Sequence, residues 1–345
     1  MSIALDIDGR RLSSLRRQGR RLIGRHSPAC YLSVPPHDAE KRLLERARIP
    51  YASCDGSTIV LGRHASDLAP LLHVPRLPLL PGGRLPENDP LARQILASIV
   101  DSLLPESTEP HETCAVLLPQ RSSGQSRGTT PEWEFFSRVV RLRGYDPIAV
   151  DKCQALALAG LGHTAFTGVT LRVDSSSCGL AFVHSGRVAA EAVLPRGGDW
   201  IDEQLARKTD RVIWDMNGNS YVDLAATEQW KRETAPDLHN PGDDDAQILA
   251  YSCHHLLRQL LSTLSMQLLD NVHVDTLRQS LTLVCCGELT QMAGFNPLLR
   301  ELIDHCSLPV TITDIRVVDD PLYSIARGGL IAAELETPEN AAVPA

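Results

Sequence analysis

Residues 169–205, VTLRVDSSSCGLAFVHSGRVAAEAVLPRGGDWIDEQL, decide how this chain is read. Val169, Leu171 and Val173 alternate with polar neighbours, which predicts a strand leading into Asp174. Ser175, Ser176, Ser177, Cys178 and Gly179 make a small-residue turn, and residues 180–183 run apolar again as a returning strand. A second turn at Ser185-Gly186 feeds a strand over 188–194, which ends in Arg196-Gly197-Gly198-Asp199, where an amphipathic helix begins. Two glycines before a helix N-terminus leave backbone N–H groups at the positive end of the helix dipole, a place suited to an anion such as phosphate. The same residues also satisfy an ordinary turn, since Asp, Ser and Gly fill turns on conformational grounds alone.

Upstream, strands and helices alternate. A buried strand over 114–118 stops at Pro119, and a helix over 131–143 follows, with Thr130 as N-cap and Pro131 at its first position. Gly144 ends that helix, a strand over 147–150 returns, and Asp151 opens an Ala-rich helix through Gly160. This order predicts an α/β layering. Before it, Asn88 or Asp89 caps a helix over 91–104, and a proline-rich connection over 75–90 closes a region of short strands with a helix over 38–48. The N-terminal strand at residues 3–7 enters Gly9 and sets Asp6 or Asp8 at a turn. Downstream, the pattern predicts a short strand over 220–224, a helix from Thr227, a long helix over 246–270, a strand over 280–285, a helix over 297–306, a strand over 309–313 and a final helix over 321–335. Residues 336–345 read as a tail.

At 345 residues the chain is long enough for two domains or two lobes, and 43% hydrophobic with 22% charged residues is the composition of a globular protein. No apolar run approaches the roughly 20 residues that cross a bilayer, and no signal-peptide pattern opens the chain, which predicts a cytoplasmic protein. The nine cysteines are scattered without a CxxC pair, so they read as buried thiols rather than as a structural zinc site. A net charge of −8 argues against a general nucleic-acid binder. The local exception is the stretch holding Arg10, Arg11, Arg16, Arg17, Arg20, Arg21 and Arg25, either a solvated hairpin or helix face or a patch for an acidic partner or a membrane surface.

In chain order, several segments resemble the actin-like ATPase superfamily, in particular the ATPase domain of the seventy-kilodalton heat-shock chaperones and the MreB-type bacterial actins. Residues 151–161, DKCQALALAGL, look like the first connecting helix. Val173-Asp174 with its turn is similar to the second phosphate hairpin, and Arg196-Gly197-Gly198-Asp199-Trp200-Ile201-Asp202 to the Gly-Gly-acid motif that follows it. Glu228-Gln229-Trp230-Lys231-Arg232 matches the chaperones' Glu-x-x-Lys-Arg, Leu283 to Glu288 stands at the adenosine loop, and Asp320-Pro321 through Gly329 looks like the closing helix. The resemblance implies a two-lobed α/β fold of duplicated ribonuclease-H-like cores with inserted subdomains. The first lobe would cover 1–160 with a small insertion at about 12–80, and the second 161–335 with an insertion at about 200–275, the final helix packing back on the first. It also implies ATP with Mg²⁺ in the cleft. Asp6 or Asp8 and Asp174 would organise the metal, Asp151 and Asp174 would serve catalysis, and Gly179, Gly197, Gly198, Glu228, Lys231, Arg232 and Gly287 would hold the nucleotide. Glu228, Lys231 and Arg232 read equally well as an exposed helix face.

The sequence departs from that pattern where glycines matter. The family's second hairpin is Asp-x-Gly-Gly-Gly-Thr, whereas this chain has Asp174-Ser175-Ser176-Ser177-Cys178-Gly179. The first hairpin keeps aspartates but reads Asp6-Ile7-Asp8-Gly9-Arg10-Arg11, and Cys285-Cys286 stand where Gly-Gly would face the nucleotide. A carboxylate survives such changes; a backbone anion cradle does not accept added Cβ atoms without opening. The expectation is a degenerate ATP site with weakened or absent hydrolysis, in a weak nucleotide binder or pseudo-ATPase that acts through protein partners. The alternative is a nucleotide-independent scaffold or filament-forming protein that associates with itself.

Overall fold

The computed structural model describes residues 2–34, 38–54, 56–72, 74, 76–120, 122–123, 128–214, 218, 220–270 and 280–336. The predicted tail therefore lies outside the described residues, Glu336 aside. In chain order the first lobe holds β1 (Ile3–Ile7), β2 (Arg11–Gln18), β3 (Arg21–Pro28), β4 (Cys30–Val34), α1 (Asp38–Arg46), β5 (Tyr51–Cys54), β6 (Ser57–Leu61), α2 (Gly62–Leu72), β7 (Leu77–Pro78), α3 (Pro90–Leu103), β8 (Thr113–Leu117), α4 (Pro131–Leu142), β9 (Asp146–Ala149) and α5 (Lys152–Gly160). The second holds β10 (Gly168–Val173), β11 (Cys178–His184), β12 (Arg187–Leu194), α6 (Gly198–Lys208), β13 (Val212–Trp214), β14 (Ser220–Val222), α7 (Leu224–Thr234), α8 (Asp244–Leu269), β15 (Leu281–Cys286), α9 (Phe295–His305), β16 (Ile312–Val317) and α10 (Ser324–Glu336).

Helix starts follow local chemistry. Asp89, Thr130, Asp151, Asp223 and Asp243 each accept a hydrogen bond from a first-turn N–H, and Pro90 and Pro131 occupy first helical positions where no N–H is needed. The strand expected over 309–313 runs instead over Ile312–Val317, and α2 is a second helix in the region expected to hold short strands with one helix.

Two five-stranded sheets share one plan. The first has the order β3-β2-β1-β8-β9 and the second β12-β11-β10-β15-β16. In each, an antiparallel three-stranded meander is extended by two parallel strands, through β1–β8–β9 and β10–β15–β16. The duplicated α/β core implied by the resemblance is thus visible as topology. Between the sheets lie α5 and α10. Ala155, Ala157, Leu158, Ala326, Leu330 and Ala333 from these helices pack with Ala4 and Leu117 of one sheet and Val183 and Val284 of the other. The helices cross closely, since a Cβ added to Gly328 would lie 1.7 Å from the Ala155 carbonyl oxygen.

A four-stranded sheet, β5-β6-β4-β7, carries α1 and α2 with its own small core around Leu32, Val60 and Leu68. Because β2 and β3 belong to the first core sheet, this insertion begins near Cys30 rather than near residue 12. In the second lobe α8 packs on β11 and β12 as part of the core, so the inserted elements reduce to the β13–β14 ribbon and α7 beside α6.

Candidate functional site

The two hairpins that the sequence places at the cleft face each other at the ends of β1 and β10. In the first, Gly9 N–H donates to the Asp8 carboxylate at 2.7 Å, and Asp8 N–H donates to the Arg11 carbonyl at 2.8 Å, closing the turn. In the second, Asp174 N–H donates to the Ser177 carbonyl at 2.9 Å. The hairpins touch. Ser175 donates to Asp8 through its hydroxyl at 2.7 Å and through its N–H at 3.2 Å. A Cβ on Gly9 would stand 2.8 Å from Ser175 Oγ and 3.2 Å from Ser176 Cβ, so the serine side chains fill the gap that glycines would leave open.

Beneath this contact lies a buried ionic cluster. Lys152, the first residue of α5, is fully buried; its Nζ lies 2.8 Å from Asp6, 3.3 Å from Asp174 and 2.8 Å from the Ile7 carbonyl oxygen, to which it donates. Arg172, fully buried in β10, donates to Asp174 at 2.7 Å, to Ser177 Oγ at 3.0 Å and to Gln120 Oε1 at 3.0 Å. Burial alone would push both cations down. The surrounding carboxylates outweigh it, Asp174 first in each case, and hold Lys152 and Arg172 above their ordinary values. Burial opposes ionisation of Asp174 too, yet Lys152 and Arg172 hold it below the usual carboxylate value. Asp6 goes the other way, since its burial outweighs the help from Lys152. Asp151 caps α5 by accepting from Gln154 N–H at 2.7 Å and accepts from the Gln120 amide. With Cys153 and Glu191 it gathers three ligand-type atoms within 4.8 Å of one another. Asp151 and Glu191 raise the pKa of Arg172, so the group is explained as counter-charge for that guanidinium.

A second cluster closes the mouth of the cleft. Arg10, from the first hairpin, donates to Asp199, to Asp202 at 2.9 Å and to Glu228 at 2.7 Å, reaching α6 and α7 of the other lobe. Arg76 joins Glu228 at 3.2 Å, and Lys231 donates to the buried Asp202 at 2.6 Å. Burial raises the Asp199 carboxyl to about 6, an effect that Arg10 only partly offsets.

Each residue expected at a nucleotide has a visible occupation. The N–H groups of Gly198 and Asp199 at the start of α6 donate to the carbonyls of Asp174 and Ser175 at 2.9 and 2.8 Å. Gly197 is needed because a Cβ there would lie 2.1 Å from the Asp174 carbonyl oxygen. Gly179 pairs with Arg172 across β10–β11 and leaves room for its guanidinium. Gly287, at φ 129°, passes within contact of the Val173 carbonyl, where a Cβ would lie 2.2 Å away. Glu228 and Lys231 belong to the rim cluster, and the exposed Arg232 donates to its own helix at the Glu228 carbonyl, 3.4 Å away. A magnesium triphosphate needs carboxylates facing the metal, N–H groups facing phosphate and space between the hairpins. In this arrangement the residues present do not fit it, because Lys152 stands between the acids and the hairpins bond to each other.

The sequence reading assigns no role to Lys152 and Arg172 and places Arg10 only in a basic stretch, yet these three hold the clusters together. The signal for Arg172 was a charged residue inside a strand of a two-faced α/β core, where polar positions lack solvent.

Two duplicated sheets, helices between them and hairpins meeting across a cleft define the actin-like, two-lobed class. The solved structures agree: the chain is similar to a MamK double helical filament at TM-score 0.67 and 13% identity, covering 97% of this chain and 99% of that one. It is similar to MreB5 of Spiroplasma citri bound to ADP at TM-score 0.63 and 15% identity, covering 96% of each chain. It is also similar to a non-polymerising MamK mutant bound to AMPPNP at TM-score 0.55 and 15% identity, covering 96% of this chain and 98% of that one. The volactin family model matches residues 1–333, and the chain belongs to that family. None of the curated proteins compared with it matches.

Proposed function

We propose that this chain is an actin-like pseudo-ATPase that works as a scaffold through protein contacts, self-association foremost, without a cycle of ATP binding and hydrolysis. The observation that carries the reading is the direct bond from Ser175 to Asp8, which joins the two hairpins where a triphosphate would part them. The hydrogen-bond donors at the start of α6 and the acids at Lys152 are engaged in the same closure. Support for self-association comes from the fold, since one solved protein of this fold is a double helical filament. Among the described residues no helix is long and apolar enough to cross a membrane, and a cytoplasmic scaffold fits that observation. On this reading the lobes hold one another in a fixed relation, and a fixed relation presents constant surfaces to a neighbouring copy.

Sedimentation of the purified chain tests the reading. The pelleted fraction should rise with protein concentration and be the same with Mg²⁺-ATP, with Mg²⁺-ADP and with a chelator. Assembly that requires Mg²⁺-ATP, or that decays as phosphate is released, would overturn it.

A further inference from the structure

The ammonium of Lys152 is surrounded in the way a bound cation would be. Its neighbours are three oxygens, from Asp6, Asp174 and the Ile7 carbonyl, at 2.8, 3.3 and 2.8 Å. Two of these belong to the end of β1 and one to the end of β10, while the lysine itself starts the helix that runs between the sheets. One positive charge therefore touches both lobes and the connecting helix at a single buried point. Aspartates and a carbonyl are the oxygen donors that a hard divalent ion takes. Here a side chain supplies the charge from within.

We infer that Lys152 is a built-in counter-cation that stands in for a divalent metal ion, and that its removal alone turns Asp6, Asp174 and the Ile7 carbonyl into a divalent-cation site. The inference deepens the pseudo-ATPase reading and rests on it in one respect, that no triphosphate shares these acids.

The chemistry favours a tethered cation over an ion in solution. An ion leaves when its concentration falls or a chelator competes, whereas the lysine is held by its own backbone in α5 and needs no supply. Its cluster is sealed, with Lys152 and Arg172 fully buried. Lys152 and Arg172 both face the Asp174 Oδ2, at 3.3 and 2.7 Å. Take Lys152 away and Arg172 remains on one side of Asp174, while Asp6 and the Ile7 carbonyl are left facing a hole the size of the lost side chain. Metal–oxygen distances of about 2.0–2.6 Å are shorter than the ammonium contacts, so an ion with one or more waters can occupy that hole without moving the strands.

Mn²⁺ is the probe, because the free ion is read directly by electron paramagnetic resonance. With the wild-type full chain, the free Mn²⁺ signal should be unchanged by added protein, and the melting temperature should be the same with Mn²⁺ and with chelator. Lys152→Ala should take up one equivalent of Mn²⁺, at least about tenfold more tightly than wild type. It should melt lower than wild type with chelator and recover with Mn²⁺. The double variant Lys152→Ala/Asp174→Asn should lose that uptake, and Lys152→Met, which fills the hole, should be destabilised without rescue. Stoichiometric Mn²⁺ on wild type that Asp6→Asn abolishes would overturn the proposal, as would Lys152→Ala that binds no tighter than wild type. If Lys152→Ala is unfolded as purified, refolding with Mn²⁺ must restore its far-ultraviolet circular dichroism, and failure to do so counts against the proposal. No arm contains nucleotide. Binding of Mg²⁺-ATP by wild type would defeat the functional reading while leaving the metal result to stand or fall by itself.

Discussion

The cleft is closed twice, and the two closures differ in depth. At the bottom, Lys152 and Arg172 are 0% exposed and their partners Asp6 and Asp174 are no more than 10% exposed. At the mouth, Arg10 and Glu228 are each 25% exposed, although Asp202 behind them is buried. Water and salt screen the second set and barely reach the first. The deep cluster is therefore a fixed structural element, since one member removed leaves its partners charged and dry. The rim is an adjustable latch, since each of its charges retains water or a second partner.

The largest expected effect lies at the bottom. Arg172→Met should lower unfolding free energy by about 3–5 kcal/mol, as loss of one partner from a buried ion cluster does. Urea titration checks this at low and high salt, and the loss should be the same in both. At the mouth, Arg10→Ala should cost about 1–2 kcal/mol at low salt and less as salt is added. The fall with salt separates the latch from the tie, and equal losses at both salt concentrations would erase the distinction. Ser175→Gly removes the hydroxyl bond between the hairpins and should cost about 1 kcal/mol in the same titration.

The smallest effect is a change of slope with pH. Asp199 sits near 6 in the folded chain against an ordinary 3.8. The folded state thus takes up this proton more readily than the unfolded chain. The contribution of the group to stability is complete below about 3.8 and is lost as pH rises through about 6. Asp199→Asn should flatten the stability curve between those values, so that the variant gains on wild type as pH rises through the window and runs parallel to it above about 6, as unfolding at both ends of the window would show.

The frame of the molecule was legible because it is written in turns and caps. Asp174 with its serines, Gly197-Gly198, Asp151 and Pro131 each announce a local geometry, and they fall in the order of an α/β layering, while the duplication came from the family resemblance. The occupation of the site was less legible, because charge in a sequence carries no sign of depth. Arg172 sits in VTLRV, where alternation reads as a half-wet strand, yet β10 is buried on both faces. Arg10 read as one of a run of surface arginines, and only the fold brings Asp199, Asp202 and Glu228 around it. Another member of that run, Arg17, meets Glu334 at an exposed pair. The shift of the strand expected over 309–313 to Ile312–Val317 has a similar origin. The alternation of Val310 and Ile312 is interrupted by an irregularity at Thr313, after which Ile315 and Val317 resume it in the opposite phase, and pairing with β15 carries the strand through.

The most direct measurement is calorimetric titration of Mg²⁺-ATP into the wild-type full chain. A cleft filled by Lys152, Arg172 and Ser175 predicts no saturable heat up to millimolar nucleotide. Saturable micromolar binding that Asp174→Ala abolishes would contradict it.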